Sequence, residues 1–125
     1  MKIFIVEDSP LLRERLGELV AEIKGVEIVG SANDAQMALD VMSTFKPDVV
    51  ILDIHLPNGS GIEILQKLKS QPPSPWVIMF TAFPYPQYRQ KCLQAGADYF
   101  FDKSTEFDCI PPIIEKLRDE SLLKS

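Results

Sequence analysis

Five side chains of complementary chemistry stand at four separate points of the chain: Glu7 with Asp8, then Asp53, Thr81 and Lys103. Each point follows a short apolar run, namely Ile3-Phe4-Ile5-Val6, Val49-Val50-Ile51-Leu52, Trp76 to Phe80, and Tyr99-Phe100-Phe101. Taken singly, each residue has an ordinary role. Glu7 and Asp8 would complement the dipole of a helix starting at Pro10. Asp53 would be a loop residue ahead of the Pro57-Asn58-Gly59 turn, Thr81 suits a strand, and Lys103 would sit in solvent. Taken together, they supply three carboxylates, a hydroxyl and an ammonium. Two carboxylates about 4 Å apart repel by roughly 4 kcal/mol at an effective dielectric near 20. Three of them against one lysine require a cation or a shifted pKa. All-oxygen ligands favour a hard ion, and Mg²⁺ commonly takes one or two carboxylates, several waters and a substrate phosphate. A carboxylate nucleophile beside such an ion, a hydroxyl and a lysine is equipped for phosphoryl transfer to an aspartate.

For these residues to meet, the apolar runs must lie side by side. They alternate with amphipathic stretches along the whole chain. Leu12, Leu16, Leu19, Val20 and Ile23 mark a first helix, and Val26 to Ala32 reads as a second strand. Ala35, Leu39 and Met42 share a second helical face, and Ile62, Leu65 and Leu68 a third. A fourth helix spans Gln87 to Ala95, closed by Gly96, and a last one carries Ile113, Ile114 and Leu117. Ser9-Pro10 is an N-cap with proline at the first helical position. Ser60 with Glu63 fits a capping box. Pro111 and Pro112 are tolerated only in a first turn, so the last helix starts near them. Strands that are continuously apolar are covered on both faces, which implies a parallel sheet. Five alternations predict a doubly wound α/β fold with a five-stranded parallel sheet and helices on both faces. In such sheets ligands bind beyond the carboxyl ends of the strands, where all five chemical residues fall.

At 125 residues the sequence is one domain's worth, expected to span residues 1–125. A formal charge of −5 argues against direct nucleic-acid binding. No apolar run approaches the roughly 18–20 residues of a membrane span, and the first is too short for a signal-peptide core. The expected location is the cytoplasm. Cys92 and Cys109 lack metal-ligand spacing, and His55 is the lone histidine, so two free thiols are expected.

The pattern resembles bacterial response-regulator receiver domains, in order over roughly residues 2 to 120. It is carried by Glu7-Asp8, by Leu52-Asp53 with Pro57 and Gly61, by Thr81-Ala82, and by Phe100-Phe101-Asp102-Lys103. The resemblance implies a flavodoxin-like strand order 2-1-3-4-5. It implies Mg²⁺, or Mn²⁺, on Glu7, Asp8, Asp53 and the backbone carbonyl of His55. Asp53 would be the phosphoacceptor, Thr81 and Lys103 would hold phosphoryl oxygens, and Thr81 and Phe100 would form the switch. The donor would be a histidine kinase or phosphotransfer protein. The output would lie on the face of the fourth helix, fifth strand and fifth helix, toward an unidentified partner or a phosphorylation-dependent dimer. Such a domain is a signalling switch with at most weak self-dephosphorylation, not a turnover enzyme. The segment Phe101 to Phe107 resembles receivers that precede helix-turn-helix outputs.

Two positions depart from the family pattern. Phe100 stands where tyrosine is frequent, so the switch has no hydroxyl. Ser104 stands where proline often follows the lysine, and a cis bond without proline costs about 3–4 kcal/mol, which leaves that peptide's conformation open. Two other phosphate-handling classes fit less well. Haloacid-dehalogenase-type phosphatases carry a second aspartate where this chain has His55. Flavin and nucleotide carriers need a first loop of N–H donors, whereas Glu7-Asp8-Ser9-Pro10 offers acids and a missing donor. Finally, His55 and Phe83 each lie two residues beyond a site residue and are expected to flank its mouth, with Pro84 and Pro86 stiffening the loop.

Overall fold

In the computed structural model, which describes residues 1–123, the apolar runs become five parallel strands. They are β1 Lys2–Val6, β2 Glu27–Ala32, β3 Val49–Leu52, β4 Trp76–Thr81 and β5 Tyr99–Asp102. Their spatial order is β2-β1-β3-β4-β5, with every neighbouring pair parallel. This is the doubly wound order expected above. Lys124 and Ser125, included in the expected domain span, lie outside the described residues.

Side-chain alternation divides the core into two layers. Ile3, Ile5, Val49, Ile51, Ile78 and Phe80 pack against helices α1 (Pro10–Ala21) and α5 (Ile110–Leu123). Phe4, Val6, Val50, Leu52, Val77 and Met79 pack against α2 (Ala35–Phe45), α3 (Gly61–Lys69) and α4 (Pro86–Gln94). The central strand β3 is buried at all four positions, as its apolar run requires. In β2 only Ala32 is buried, because this strand forms the sheet edge and turns Glu27 and Ser31 to solvent.

The helix starts follow their local chemistry. Ser9 Oγ accepts from the Leu12 N–H at 3.3 Å with Pro10 in the first turn. Ser60 Oγ accepts from Ile62, one residue short of the capping-box position at Glu63. Asp34 caps α2 through the Met37 N–H, a start signal the sequence reading passed over. Helix α4 begins at Pro86, one residue before the expected boundary, since proline fits a first turn. Pro111 and Pro112 lie in the first turn of α5, after a 3₁₀ turn at Phe107–Cys109. The Lys103–Ser104 peptide is trans. Between β3 and α3, His55–Leu56 pairs with Gly59–Ser60 as a two-residue antiparallel ladder that periodicity is too short to show. No helix among the described residues is long and apolar enough to cross a membrane.

Candidate functional site

The sheet's hydrogen bonding runs one residue past its strands, and that extension fixes the chemical residues. Glu7 N–H donates to the Ala32 carbonyl at 3.0 Å, Asp53 N–H to Val6 at 3.1 Å, and Lys103 N–H to Thr81 at 2.9 Å. The backbones of Glu7, Asp53 and Lys103 are thus tied into the sheet. Glu7, Asp53 and Thr81 are the buried polar residues among those described, whereas Asp8 faces solvent.

One carboxylate oxygen from each of Glu7, Asp8 and Asp53 lies within 4.8 Å of the others. The Lys103 ammonium pairs with Glu7 and donates to Asp53 Oδ2 at 2.7 Å. Burial pushes the Glu7 carboxyl above its ordinary value, and the hydrogen bonds from Lys103 and Ser9 only partly offset this. Burial alone would lower the Lys103 pKa, but its hydrogen bonds to Asp53 and Glu7 outweigh that, and it stands above the ordinary lysine value. The lysine is therefore a fixed positive charge. The oxygen-only donor set, with Asp8 open to water, fits a hard divalent cation.

Thr81 is fully buried at the end of β4, and its Oγ1 accepts from the Phe83 N–H at 3.1 Å. The hydroxyl thereby ties the site to the loop entering α4. Phe100 is 4% exposed, on the same sheet face as Met79, its register partner. His55 and Phe83 meet edge to face, with ring centroids 4.7 Å apart, and His55 also contacts Tyr88 at 5.5 Å. All seven expected site residues therefore lie toward one end of the sheet, with Phe100 two register pairs away from Thr81.

Two further contributors were not singled out for a role by sequence reasoning. Gly61 opens α3 directly against the site: a Cβ there would lie 1.8 Å from the Asp53 carbonyl oxygen. A close backbone approach of this kind leaves no periodic trace in sequence. Arg89, an unremarkable surface residue by pattern, places its guanidinium over the Phe100 ring, 4.9 Å from the centroid.

The family model of the response regulator receiver domain matches residues 3–115. The chain belongs to this family. It is 37% identical over 120 residues to a sensory transduction protein, LytT, of Enterococcus faecalis, covering 96% of this chain and 49% of that protein. It is 35% identical over 108 residues to a protein-glutamate methylesterase/protein-glutamine glutaminase of Desulfotalea psychrophila, covering 85% of this chain and 30% of the relative. Among solved structures, the receiver domain of a DNA-binding response regulator from Colwellia psychrerythraea superposes with a TM-score of 0.88. That match has 26% identity and covers 95% of this chain and 98% of the other. The response regulator domain of Thermotoga maritima CheB gives 0.82 at 29% identity, covering 95% and 94%. This receiver is a phosphorylation-activated signalling domain of the two-component type. It spans about half or less of the curated relatives named here, whose descriptions differ, so the match alone leaves output open.

Proposed function

We propose that Asp53 accepts a phosphoryl group from a phosphohistidine on a histidine kinase or phosphotransfer protein, in an Mg²⁺-dependent reaction. The observation that carries this reading is the contact between the Lys103 ammonium and Asp53 Oδ2, beside the Glu7 and Asp8 carboxylates. Glu7, Asp8, Asp53 and the backbone carbonyl of His55 would hold the metal, with Mn²⁺ as the alternative ion. When bound, it would neutralise charge on carboxylate and phosphoryl oxygens.

The chain's own groups then have defined tasks. The Asp53 carboxylate, held by the sheet, attacks phosphorus in line. An Oδ–P bond forms, the N–P bond breaks, and the departing imidazole keeps the electron pair. Lys103 turns from the free carboxylate to a phosphoryl oxygen, while the Thr81 hydroxyl donates to another. The Phe83 N–H can follow Thr81, since the two are already bonded. Movement at Thr81 passes to Phe100 and so to the surface built from α4, β5 and α5. An unidentified output partner, or a second copy in a phosphorylation-dependent dimer, would read that surface. The chain would act as a cytoplasmic switch with weak self-dephosphorylation rather than as a turnover enzyme.

The decisive experiment uses acetyl phosphate and Mg²⁺ as a small phosphodonor system. The native chain should acquire hydroxylamine-labile phosphate mapping to Asp53, and Asp53→Asn should acquire none. Full loading of that variant would overturn the assignment.

A further inference from the structure

Helix α4 is lightly anchored. Of its nine residues only Cys92 is buried, with Tyr88 packed part-way. An element with so few buried apolar contacts is held by small increments, and one specific contact carries weight. Arg89 makes such a contact twice to the same residue. Its guanidinium carbon lies 4.9 Å from the Phe100 ring centroid, and its Nη2 is 3.5 Å from the Phe100 carbonyl oxygen. Phe100 is 4% exposed while Arg89 is exposed, so the guanidinium covers the ring from the solvent side. The carbonyl belongs to the sheet and stays fixed, whereas the ring can change rotamer.

We propose that Arg89 is a positioning residue that holds the Phe100 ring in its buried rotamer, coupling α4 to β5 through that ring. An outward ring would take the guanidinium's place, so the contact is made with one rotamer only. A group shifts a two-state equilibrium only through such a difference in contact. Phe100 has no hydroxyl through which to be held, and the positive group over its face supplies the polar handle instead. A partly exposed contact of this kind changes a two-state ratio by roughly two- to five-fold. A planar guanidinium can stack on the ring, while a lysine would act only as a point charge. The coupling to the phosphorylation site rests on Phe100 being the switch aromatic; the effect on the ring itself does not.

The test labels the phenylalanines of the full chain with 4-fluorophenylalanine and assigns the Phe100 signal by its loss in Phe100→Leu. Arg89→Met keeps the apolar stem and removes the charge; Arg89→Lys keeps the charge without the plane. The expected result is a larger H₂O/D₂O isotope shift at Phe100 in Arg89→Met, with Arg89→Lys between it and the native chain. A Phe100 signal unchanged in Arg89→Met, or Arg89→Lys no better than Arg89→Met, overturns the clamp. In parallel, the beryllofluoride concentration for half-saturation with Mg²⁺ should rise roughly two- to five-fold in Arg89→Met. Unchanged half-saturation with a shifted ring signal would overturn the coupling alone. A native chain that binds no beryllofluoride would sink the phosphoacceptor reading, and the ring signal would still decide the clamp.

Discussion

Lys103 and Asp53, fifty positions apart, are joined by a 2.7 Å charge-assisted hydrogen bond, and the same ammonium pairs with Glu7. One lysine thus serves two buried carboxylates, both less than a tenth exposed. Removing one partner of a buried ion pair typically costs about 3–5 kcal/mol, because the remaining charge is left uncompensated.

Lys103→Met should therefore destabilise the chain in urea melts without divalent ions, by an amount near the lower end of that range. The same variant should bind Mg²⁺ roughly tenfold more tightly, since a cation no longer competes for two of the three carboxylates. Titration calorimetry reads the affinity. Weaker or equal Mg²⁺ binding would show that the lysine does not oppose the ion.

Gly61→Ala should damage both fold and site. The added Cβ would meet the Asp53 carbonyl oxygen at 1.8 Å, and backbone on both sides leaves nothing soft to move. Overpacking of this kind costs about 1–3 kcal/mol, more when backbone must shift. The expected outcome is a lower denaturation midpoint together with slower phosphorylation of Asp53. A variant matching the native chain in both assays would mean that α3 can retreat at little cost.

The two cysteines should differ sharply in reactivity. Burial raises the Cys92 thiol to about 11, and its side chain packs in the core beneath α4, whereas Cys109 is half-buried. At pH 8 a thiol with pKa 11 is only about one part in a thousand thiolate. Ellman's reagent should therefore titrate one thiol in the native chain at pH 8 and two in denaturant. Raising the pH toward 11 should speed the slow one. Two fast thiols in the native state would show that α4 opens readily.

Much of this was legible before the structure because it depends on periodicity and strand ends. The runs at β1, β3 and β4 are apolar throughout, and each hands its following residue to one edge of the sheet. Edge strand β2 was less transparent, since an edge tolerates polar residues that the apolar reading discounts. The hairpin at His55–Ser60 is too short for any period to emerge. Arg89 was invisible for another reason, and Gly61 showed only as part of the family pattern: their roles are contacts with Phe100 and Asp53, set by three-dimensional proximity rather than residue type.

The aromatic pair His55 and Phe83, expected to flank the mouth of the site, yields the last prediction. Phe83 and His55 come from different loops, one after β4 and one after β3, and their rings meet edge to face at 4.7 Å. The Phe83 backbone is fixed as well, because its N–H donates to Thr81 Oγ1. Pro84 and Pro86 restrict the residues that follow it. Phe83 is nevertheless 44% exposed, so it is a surface rather than a core residue. Hydrolysis of an aspartyl phosphate needs water in line with the phosphorus–oxygen bond. A phenyl ring neither orients that water nor yields its place easily while braced by an imidazole. Phe83→Ala removes the ring and keeps the N–H bonded to Thr81, so phosphorylation should proceed while dephosphorylation accelerates several-fold. His55→Ala should loosen the ring and give a smaller acceleration of the same sign. The measurement is decay of the hydroxylamine-labile phosphate after the donor is removed, with Mg²⁺ held constant. Equal half-lives for the native chain and Phe83→Ala would dispose of the shield, leaving the pair as loop packing alone.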